Sequence, residues 1–364
     1  MRILQVSSAS SFGGGERYVV DLSNALIARG HELFAAVRPN SPLISQLLLP
    51  PANIKTLPLR NALDPQSARG LARFVKDHQI DVVHAHMARD YSLAAYAVRG
   101  RNAKLVVTRH VLFPLSRLHR RTLSGVHKII AVSKAVAKQL YSQRLVAEDR
   151  IAVIPNGIDV ERFAGACTNF DRAAFLVSRN IPVEAKLVSS IGELRKLKRH
   201  DDLIRAAAIV REQVAMAHFV IAGVDTSASG ENQRELKQLA NDLKLNDRIH
   251  FPGWLDDADK LLCATDVFVS ASETESFGLS IVEAMATSTA VVATRTEGAQ
   301  EVVQDGATGL LVPIGDVDQI AAAIVRLLKD NEQRIALGRE AAAVARERFS
   351  LKRMVDDIER VYLE

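Results

Sequence analysis

The N-terminal stretch MRILQVSSASSFGGGERYVVDLSNALIARGHELFAAV, residues 1–37, decides the fold class. Its first eight residues are apolar enough to predict a strand, and a glycine-rich loop leads from them into a segment from Glu16 to Arg29 with helical spacing of its apolar residues. Residues 32–37 predict the next strand. This order of strand, glycine turn, helix and strand is typical of an α/β domain with a parallel sheet covered by helices on both faces.

The same alternation continues along the chain and then restarts. Asn156-Gly157 is a strong turn signal, a less regular stretch extends to about residue 184, and a second series of strands and helices follows. We therefore expect two doubly wound, Rossmann-like parallel-sheet domains over 1–165 and 166–349, with a C-terminal helix of about 350–364 packing back onto the first. Because ligands bind at the carboxyl ends of such strands, a central cleft faced by both sheets is the predicted active site.

Composition narrows the class of protein. The 364 residues are 48% hydrophobic and 24% charged, and no apolar run approaches the 18 or more residues of a membrane span. Since the N-terminus leads directly into a strand, we expect no signal peptide and a cytoplasmic location. The two cysteines, Cys167 and Cys263, show no metal-site or disulfide-framework spacing, which predicts two reduced, buried thiols.

Charge divides the chain unevenly. Residues 1–165 hold 23 Lys and Arg against 11 Asp and Glu, a net charge of +12, whereas residues 166–364 hold 24 against 31, a net charge of −7. Such asymmetry predicts different partners for the two halves, with something anionic facing the first.

The segment from Ser270 to Ala286 carries the most chemical information. It leads from a strand through a loop into a helix whose first turn contains Gly278, and unpaired N–H groups at such a helix start favour an anion. Glu275 and Glu283 flank this start, where two carboxylates could accept hydrogen bonds from sugar hydroxyls on either side of a diphosphate. The alternative is a solvated loop residue and the polar edge of an amphipathic helix.

Glu275 and Glu283, with Ser-Phe-Gly-Leu after the first, resemble the paired-glutamate motif of retaining GT-B glycosyltransferases of glycosyltransferase family 4, the group 1 glycosyltransferases. Further similar motifs follow in the family's order over most of the chain. They are Gly13-Gly14-Gly15-Glu16, Val153 to Asp159 with Phe163, Phe251-Pro252-Gly253-Trp254, and Asp305 to Pro313.

The resemblance implies a nucleotide-sugar site. Glu283 would bind the ribose and Glu275 the transferred sugar, while Gly14 and Gly15 would meet the diphosphate from the first domain. The sugar and diphosphate would be held by backbone groups of Ser276, Phe277, Gly278 and Leu279. The base would lie near Phe251, Gly253 and Trp254.

The segment Gly192 to Arg199 is similar to a family segment that usually reads Gly-Arg, four residues, Lys-Gly. Lys198 falls on the lysine that neutralises the diphosphate, a role suited to a mobile point charge. Glu193 occupies the usual arginine position, Arg199 replaces the glycine, and Arg195 is expected to supply the missing charge.

Histidines mark strand ends in the first domain. His110 follows a predicted strand, and the resemblance places it on the family's active-site histidine, which contacts the donor sugar. His84 and His86 flank another strand end, where we expect a structural or acceptor-side cluster linked to Asp81.

The densest basic patch of the sequence lies just after His110. Arg109, Arg117, Arg120 and Arg121 are interleaved with leucines and Phe113, a pattern that could dock on an anionic membrane or bind an anionic acceptor. A solvated helix face is the alternative, and nucleic acid is not expected because no recognised binding module accompanies the patch.

Together these features predict a retaining, hexosyltransferase-type enzyme that moves a sugar from a nucleoside diphosphate donor, most often UDP-linked, to an anionic or lipid-linked envelope glycan such as lipopolysaccharide. No cofactor or obligatory metal is expected, because Lys198, Arg195 and helix N–H groups would stabilise the leaving group. Peripheral contact with the inner face of a membrane is part of this hypothesis. The alternatives are a nucleotide-sugar epimerase of the same architecture and, more remotely, an NAD-dependent oxidoreductase, whose Gly-x-Gly-x-x-Gly spacing is missing.

Overall fold

A computed structural model describes residues 1–227 and 229–364, which divide into two compact units. Unit 1 comprises 1–157 and 351–364, and unit 2 comprises 158–350. Both units are built on parallel sheets, as the sequence predicts, and the two sheets contain seven and six strands.

Unit 1 has the strand order β3-β2-β1-β4-β5-β6-β7, with every neighbouring pair parallel. The order reverses at β1, which pairs with both β2 and β4. The strands are β1 (Arg2–Ser7), β2 (Glu32–Val37), β3 (Ile54–Thr56), β4 (Val82–Ala85), β5 (Lys104–Arg109), β6 (Lys128–Ala131) and β7 (Ile151–Val153). The helices are α1 (Gly14–Ala28), α2 (Pro65–Asp77), α3 (Ala88–Val98), α4 (His119–Thr122) and α5 (Lys134–Gln143).

Unit 2 has the order β10-β9-β8-β11-β12-β13 and reverses at β8. Its strands are β8 (Lys186–Ile191), β9 (Ala217–Ala222), β10 (Ile249–Gly253), β11 (Val267–Ser270), β12 (Ala290–Thr294) and β13 (Leu310–Val312). Its helices are α6 (Val160–Ala166), α7 (Arg172–Val177), α8 (His200–Gln213), α9 (Glu231–Asp242), α10 (Ala258–Ala264), α11 (Leu279–Ala286), α12 (Glu297–Val302), α13 (Val317–Lys329) and α14 (Asn331–Arg348). A last helix, α15 (Leu351–Leu363), belongs to unit 1.

Burial on both faces explains why the strands read as continuous apolar runs. Every residue of β12 is buried, as is every residue of β9. In unit 1 the apolar face of α15, with Met354, Val355 and Ile358 fully buried, joins the core beneath α1. The parallel registers align the carboxyl ends of β1, β4 and β5 at one edge of the unit 1 sheet.

Two details differ from the sequence prediction. Helix α1 begins at Gly14 rather than Glu16, so the glycine loop forms the first turn of the helix. Cys167 and Cys263 form a disulfide, with their Cα atoms 5.3 Å apart, and are not the buried thiols expected. Their sequence separation of 96 positions hides their proximity, which arises because α6 packs against α10.

Among the described residues, no helix combines the length and the apolar character that crossing a bilayer requires.

Candidate functional site

An ion pair joins two of the predicted donor-binding residues in unit 2. Lys198, at the end of a short 3-10 turn after β8, donates from Nζ to Oε2 of Glu275 at 2.7 Å. Both side chains are largely shielded, with exposed fractions of 27% and 17%. The alkyl stem of Lys198 lies against Gly192, so the ammonium group is directed at the loop between β11 and α11. The structure thus brings these two residues together at the carboxyl edge of the sheet.

The start of α11 lies directly beyond this pair. Gly278 caps the helix with φ at +101°, a left-handed conformation that favours glycine, and the next residue, Leu279, begins the helix. Phe277 is buried with its ring edge against Phe349, which anchors the loop, and Ser276 precedes it. Glu283 is half-buried in the second turn of α11. Helix N–H groups and two carboxylates therefore occur within one short segment of unit 2, and the ammonium of Lys198 reaches this segment from the turn after β8.

Two residues that support Glu275 escaped the sequence analysis as site residues. Ser272 is buried and donates from Oγ to Oε2 of Glu275 at 3.2 Å. Gly298 in α12 donates its N–H to the carbonyl of Glu275 at 3.0 Å, and a Cβ at this position would lie 2.5 Å from that carbonyl oxygen. Ser272 lies only three residues before Glu275, whereas the importance of Gly298 depends on the proximity of α12, which no local pattern reveals.

Local ion pairs accommodate the residues around Lys198 that depart from the family pattern. Arg195 is exposed and pairs with Glu193, with 3.1 Å between Nη1 and Oε2. Arg199 has φ at +48°, the conformation that a glycine there would adopt without strain, and its Nε lies 2.5 Å from Oδ2 of Asp202. In this structure Arg195 therefore neutralises Glu193 and does not extend towards the Lys198–Glu275 pair.

The predicted base-proximal residues at the end of β10 have different environments. Phe251 is half-buried and, with Pro252, lines a cavity of about 500 Å³. Gly253 ends the strand with φ at +77°, and Trp254 beyond it is 46% exposed, with its ring N–H on Asp256 at 2.9 Å. Gly253 and Trp254 do not line this cavity.

Gly14 and Gly15 are the first two residues of α1 in unit 1. A Cβ added to Gly15 would meet nothing within 4 Å, so packing inside the unit does not require glycine there. Open space above the start of a 15-residue helix suits the close approach of an anion.

His110 follows β5 at the same edge of the unit 1 sheet. The ring of Tyr18 stands edge-on to its imidazole, with 4.7 Å between centroids. Burial, with the charge of Arg109 as a smaller cause, lowers the pKa of His110 to about 3. The imidazole is therefore neutral near pH 7 and offers one hydrogen-bond donor and one acceptor, without a positive charge.

His84 and His86 form a cluster with His110, but Asp81 is not part of it. The carboxylate of Asp81 accepts from the N–H of Arg2 at 2.7 Å, whereas His84 contacts Tyr362 and Thr108, and His86 contacts Gln5. Burial lowers the pKa of both residues, that of His84 to about 3. The expected link to Asp81 is wrong because that residue precedes β4 and lies at its opposite end.

The basic patch is split by burial. Arg117, Arg120 and Arg121 are exposed, next to the strongly exposed apolar side chains of Leu118 (83%) and Phe113 (60%). Arg109 is only 5% exposed and donates from Nη2 to the carbonyl of Phe113. Arg109 is thus not a member of the exposed patch, because its guanidinium folds inward to hold the following loop.

Family models cover both units. The model described as Glycosyl transferases group 1 matches residues 171–344, and the model Glycosyltransferase Family 4 matches residues 12–162.

Whole-chain similarities agree with these models. The lipopolysaccharide core biosynthesis glycosyltransferase LpsE of Rhizobium meliloti is 31% identical over 94% of each chain. N-acetyl-alpha-D-glucosaminyl L-malate synthase of Bacillus anthracis is 27% identical over 97% of this chain and 94% of its own. Anabaena HepE, solved with UDP and glucose, has the same fold, with a TM-score of 0.86 at 21% identity over 99% of this chain and 98% of its own. The chain belongs to the group 1 glycosyltransferases and is a GT-B enzyme of this family.

Proposed function

We propose that this glycosyltransferase moves a hexosyl group from a UDP-sugar to an anionic or lipid-linked envelope glycan, with retention of anomeric configuration and without an obligatory metal. The observation that carries the donor half of the proposal is the Lys198–Glu275 ion pair beside the start of α11. A diphosphate would compete for the ammonium of Lys198 and receive N–H groups of the helix start. Glu275 would then be released to accept hydrogen bonds from sugar hydroxyls.

The transfer step follows from this arrangement. The bond between the anomeric carbon and the diphosphate oxygen breaks, the acceptor oxygen bonds to the same carbon on the same face, and the acceptor's proton passes to the departing diphosphate. Lys198 and the helix N–H groups stabilise the charge that develops on the diphosphate. Neither glutamate has to act as a base, and Glu283 serves to hold the ribose. UDP as the nucleotide is supported by the complexes of Anabaena HepE with UDP and with UDP-glucose.

The proposed class of acceptor is inferred from the surface of unit 1. Exposed Arg117, Arg120 and Arg121 beside exposed Phe113 and Leu118 suit an anionic, partly apolar partner. An envelope glycan is supported by the similarity to a lipopolysaccharide core glycosyltransferase. The proposal includes peripheral contact of this surface with the cytoplasmic face of a membrane.

Donor identity is tested first. Thermal shift with UDP, GDP and ADP identifies the nucleotide, and calorimetry then compares UDP binding to the Glu283→Ala variant with binding to a Glu273→Ala control. We expect Glu283→Ala to weaken UDP binding and Glu273→Ala, an exposed residue in the loop before α11, to leave it unchanged. Equal affinity of the wild type and Glu283→Ala would refute the ribose role.

Reaction class is tested with the identified donor. NMR of the product's anomeric proton distinguishes retention from inversion, and consumption of the donor without any acceptor would indicate an epimerase instead. Transfer is expected to persist in excess chelator, and its loss with rescue by magnesium would overturn the metal-independent mechanism.

A further inference from the structure

Thr108 occupies a fully buried position two residues before His110, near the end of β5, and three groups hold it there. Its carbonyl accepts the hydroxyl of Tyr91 at 2.7 Å. Its Oγ1 lies 2.7 Å from Nε2 of His84 and 3.4 Å from the hydroxyl of Tyr18. The strand end from which His110 follows is therefore fixed through both the backbone and the side chain of Thr108.

His84 connects this position to the C-terminal helix. The imidazole is fully buried in β4, and its Nδ1 lies 2.6 Å from the hydroxyl of Tyr362 in α15, a residue 278 positions later in the chain. Burial keeps the ring neutral by lowering its pKa to about 3. A neutral imidazole donates from one nitrogen and accepts at the other, so the bonds from Tyr362 through His84 to Thr108 share one direction.

Tyr18 contacts both Thr108 and His110. Its hydroxyl faces Thr108, while its ring stands edge-on to the imidazole of His110, with an interplanar angle of 76°. Within the described part of the chain, Nε2 of His110 has no hydrogen-bond partner, so the ring is held by packing against Tyr18 and not by a bond at that atom. Small shifts of Thr108 or Tyr18 would therefore reorient the ring.

We propose that Tyr362 and His84 are positioning residues for sugar transfer, which act through Thr108 and Tyr18 to hold the His110 ring in its working orientation. This inference rests on the proposed function, because that function assigns His110 to the reaction centre. Helix α15 is then a part of the catalytic apparatus and not only a cover for the core of unit 1.

The test is Tyr362→Phe, which removes one hydroxyl and keeps the ring. Because a net hydrogen bond contributes about 1 kcal/mol, we expect kcat to fall roughly five- to tenfold. UDP affinity is expected to stay at the wild-type value, since the Lys198 and Glu283 sites lie in unit 2 and UDP lacks the transferred sugar that would meet His110. Kinetics are measured well below the melting temperature of the variant.

Ser23→Ala is the matched control. Ser23 is fully buried in α1 of the same unit, and its Oγ donates to the carbonyl of Val19 at 2.6 Å, so its loss removes one buried hydroxyl bond elsewhere. Both variants are expected to melt at lower temperature, but only Tyr362→Phe is expected to lower kcat. A Tyr362→Phe enzyme with wild-type kcat would overturn the proposal and leave Tyr362 a structural residue.

Two further measurements distinguish a failure of the positioning role from a failure of the proposed function. Histidine-selective ¹⁵N labelling is expected to show shifted ring resonances for His110 in Tyr362→Phe and unchanged ones in Ser23→Ala; unchanged resonances in both would count against positioning. If His110→Ala retains full kcat, the proposed role of His110 fails and the inference fails with it. If His110→Ala loses activity and Tyr362→Phe does not, only the positioning inference fails.

Discussion

At the scale of single residues, the proposed function predicts that the donor diphosphate competes with Glu275 for the ammonium of Lys198. Replacing Lys198 by Met removes the cation that a diphosphate needs and leaves Glu275 facing the phosphates. Hydrogen bonds of charged groups contribute about 1.5–3 kcal/mol, so we expect UDP affinity to fall roughly 10- to 150-fold by calorimetry.

Lys196→Met serves as the control for this substitution. Lys196 lies two residues away on the same turn, 78% exposed, with its Nζ 3.7 Å from Glu235, and such surface pairs contribute little. Its UDP affinity is expected to stay within twofold of wild type. Equal losses in the two variants would show that general positive charge, and not the position of Lys198, attracts the diphosphate.

The sequence identifies Lys198 and Glu275 as donor-site candidates, but their mutual ion pair appears only in the structure. Spacing within one segment is a local property, whereas 77 residues separate these two partners. For the same reason, the sequence does not show that Arg109 turns inward to the following loop. It also does not show that His84 bonds to Tyr362 in the last helix. Sequence patterns name chemically capable residues, while tertiary contacts decide which of them meet.

At the scale of elements, α12 supports the loop that carries Glu275. A methyl group at Gly298 would lie 2.5 Å from the carbonyl oxygen of Glu275 and 2.6 Å from the N–H nitrogen of Phe277. These are backbone atoms that cannot rotate away, so Gly298→Ala must displace the loop or the helix. We expect a loss of about 1–3 kcal/mol in the free energy of unfolding and a lower kcat/KM for the donor.

Gly165→Ala is the comparison for Gly298→Ala. Gly165 lies in α6 of the same unit, and an added Cβ there meets nothing within 4 Å. Urea unfolding and donor kinetics of this variant are expected to match or slightly exceed wild type, because alanine favours a helix. Wild-type kinetics in Gly298→Ala would show that the glutamate loop does not depend on its contact with α12.

The disulfide between α6 and α10 gives a second prediction at this scale. It links residues 96 apart, and closing a loop of that size in the unfolded chain stabilises a fold by about 2–4 kcal/mol. Enzyme purified without reductant is expected to show no free thiol after denaturation, and reduction is expected to lower its urea midpoint. Two titratable thiols per chain before reduction would show that the bond does not form in solution.

The elements themselves were largely predictable because each strand is short, apolar and separated from the next by a helix with its own period. The predicted strand over 32–37 agrees with β2 as observed. Strand order within each sheet, the three-residue β3 and the pairing of α6 with α10 were not predicted, since they depend on packing between elements distant in sequence.

At the scale of the whole molecule, buried histidines predict acid sensitivity. Seven histidines have lowered pKa values, chiefly because burial disfavours their charged forms, and the values reach about 3 for His84 and His110 and about 4 for His200 and His218. The seven are His84, His86, His110, His127, His200, His218 and His250. They lie in both units, so the effect is not confined to one site.

The direction in which pH changes the free energy of unfolding follows from proton binding. Between pH 6.5 and about 4 the unfolded chain protonates these histidines and the folded protein does not, so the free energy of unfolding must fall as the pH falls through this window. Asp90 acts in the opposite direction, because burial raises its pKa to about 6, but it is one group against seven histidines. We expect urea midpoints measured by circular dichroism to be flat above pH 7 and to decline steadily from pH 6.5 towards pH 4.5. A midpoint that stays constant or rises on acidification would mean that these imidazoles become protonated in the folded protein, and the lowered pKa values, including that of His110, would then be wrong.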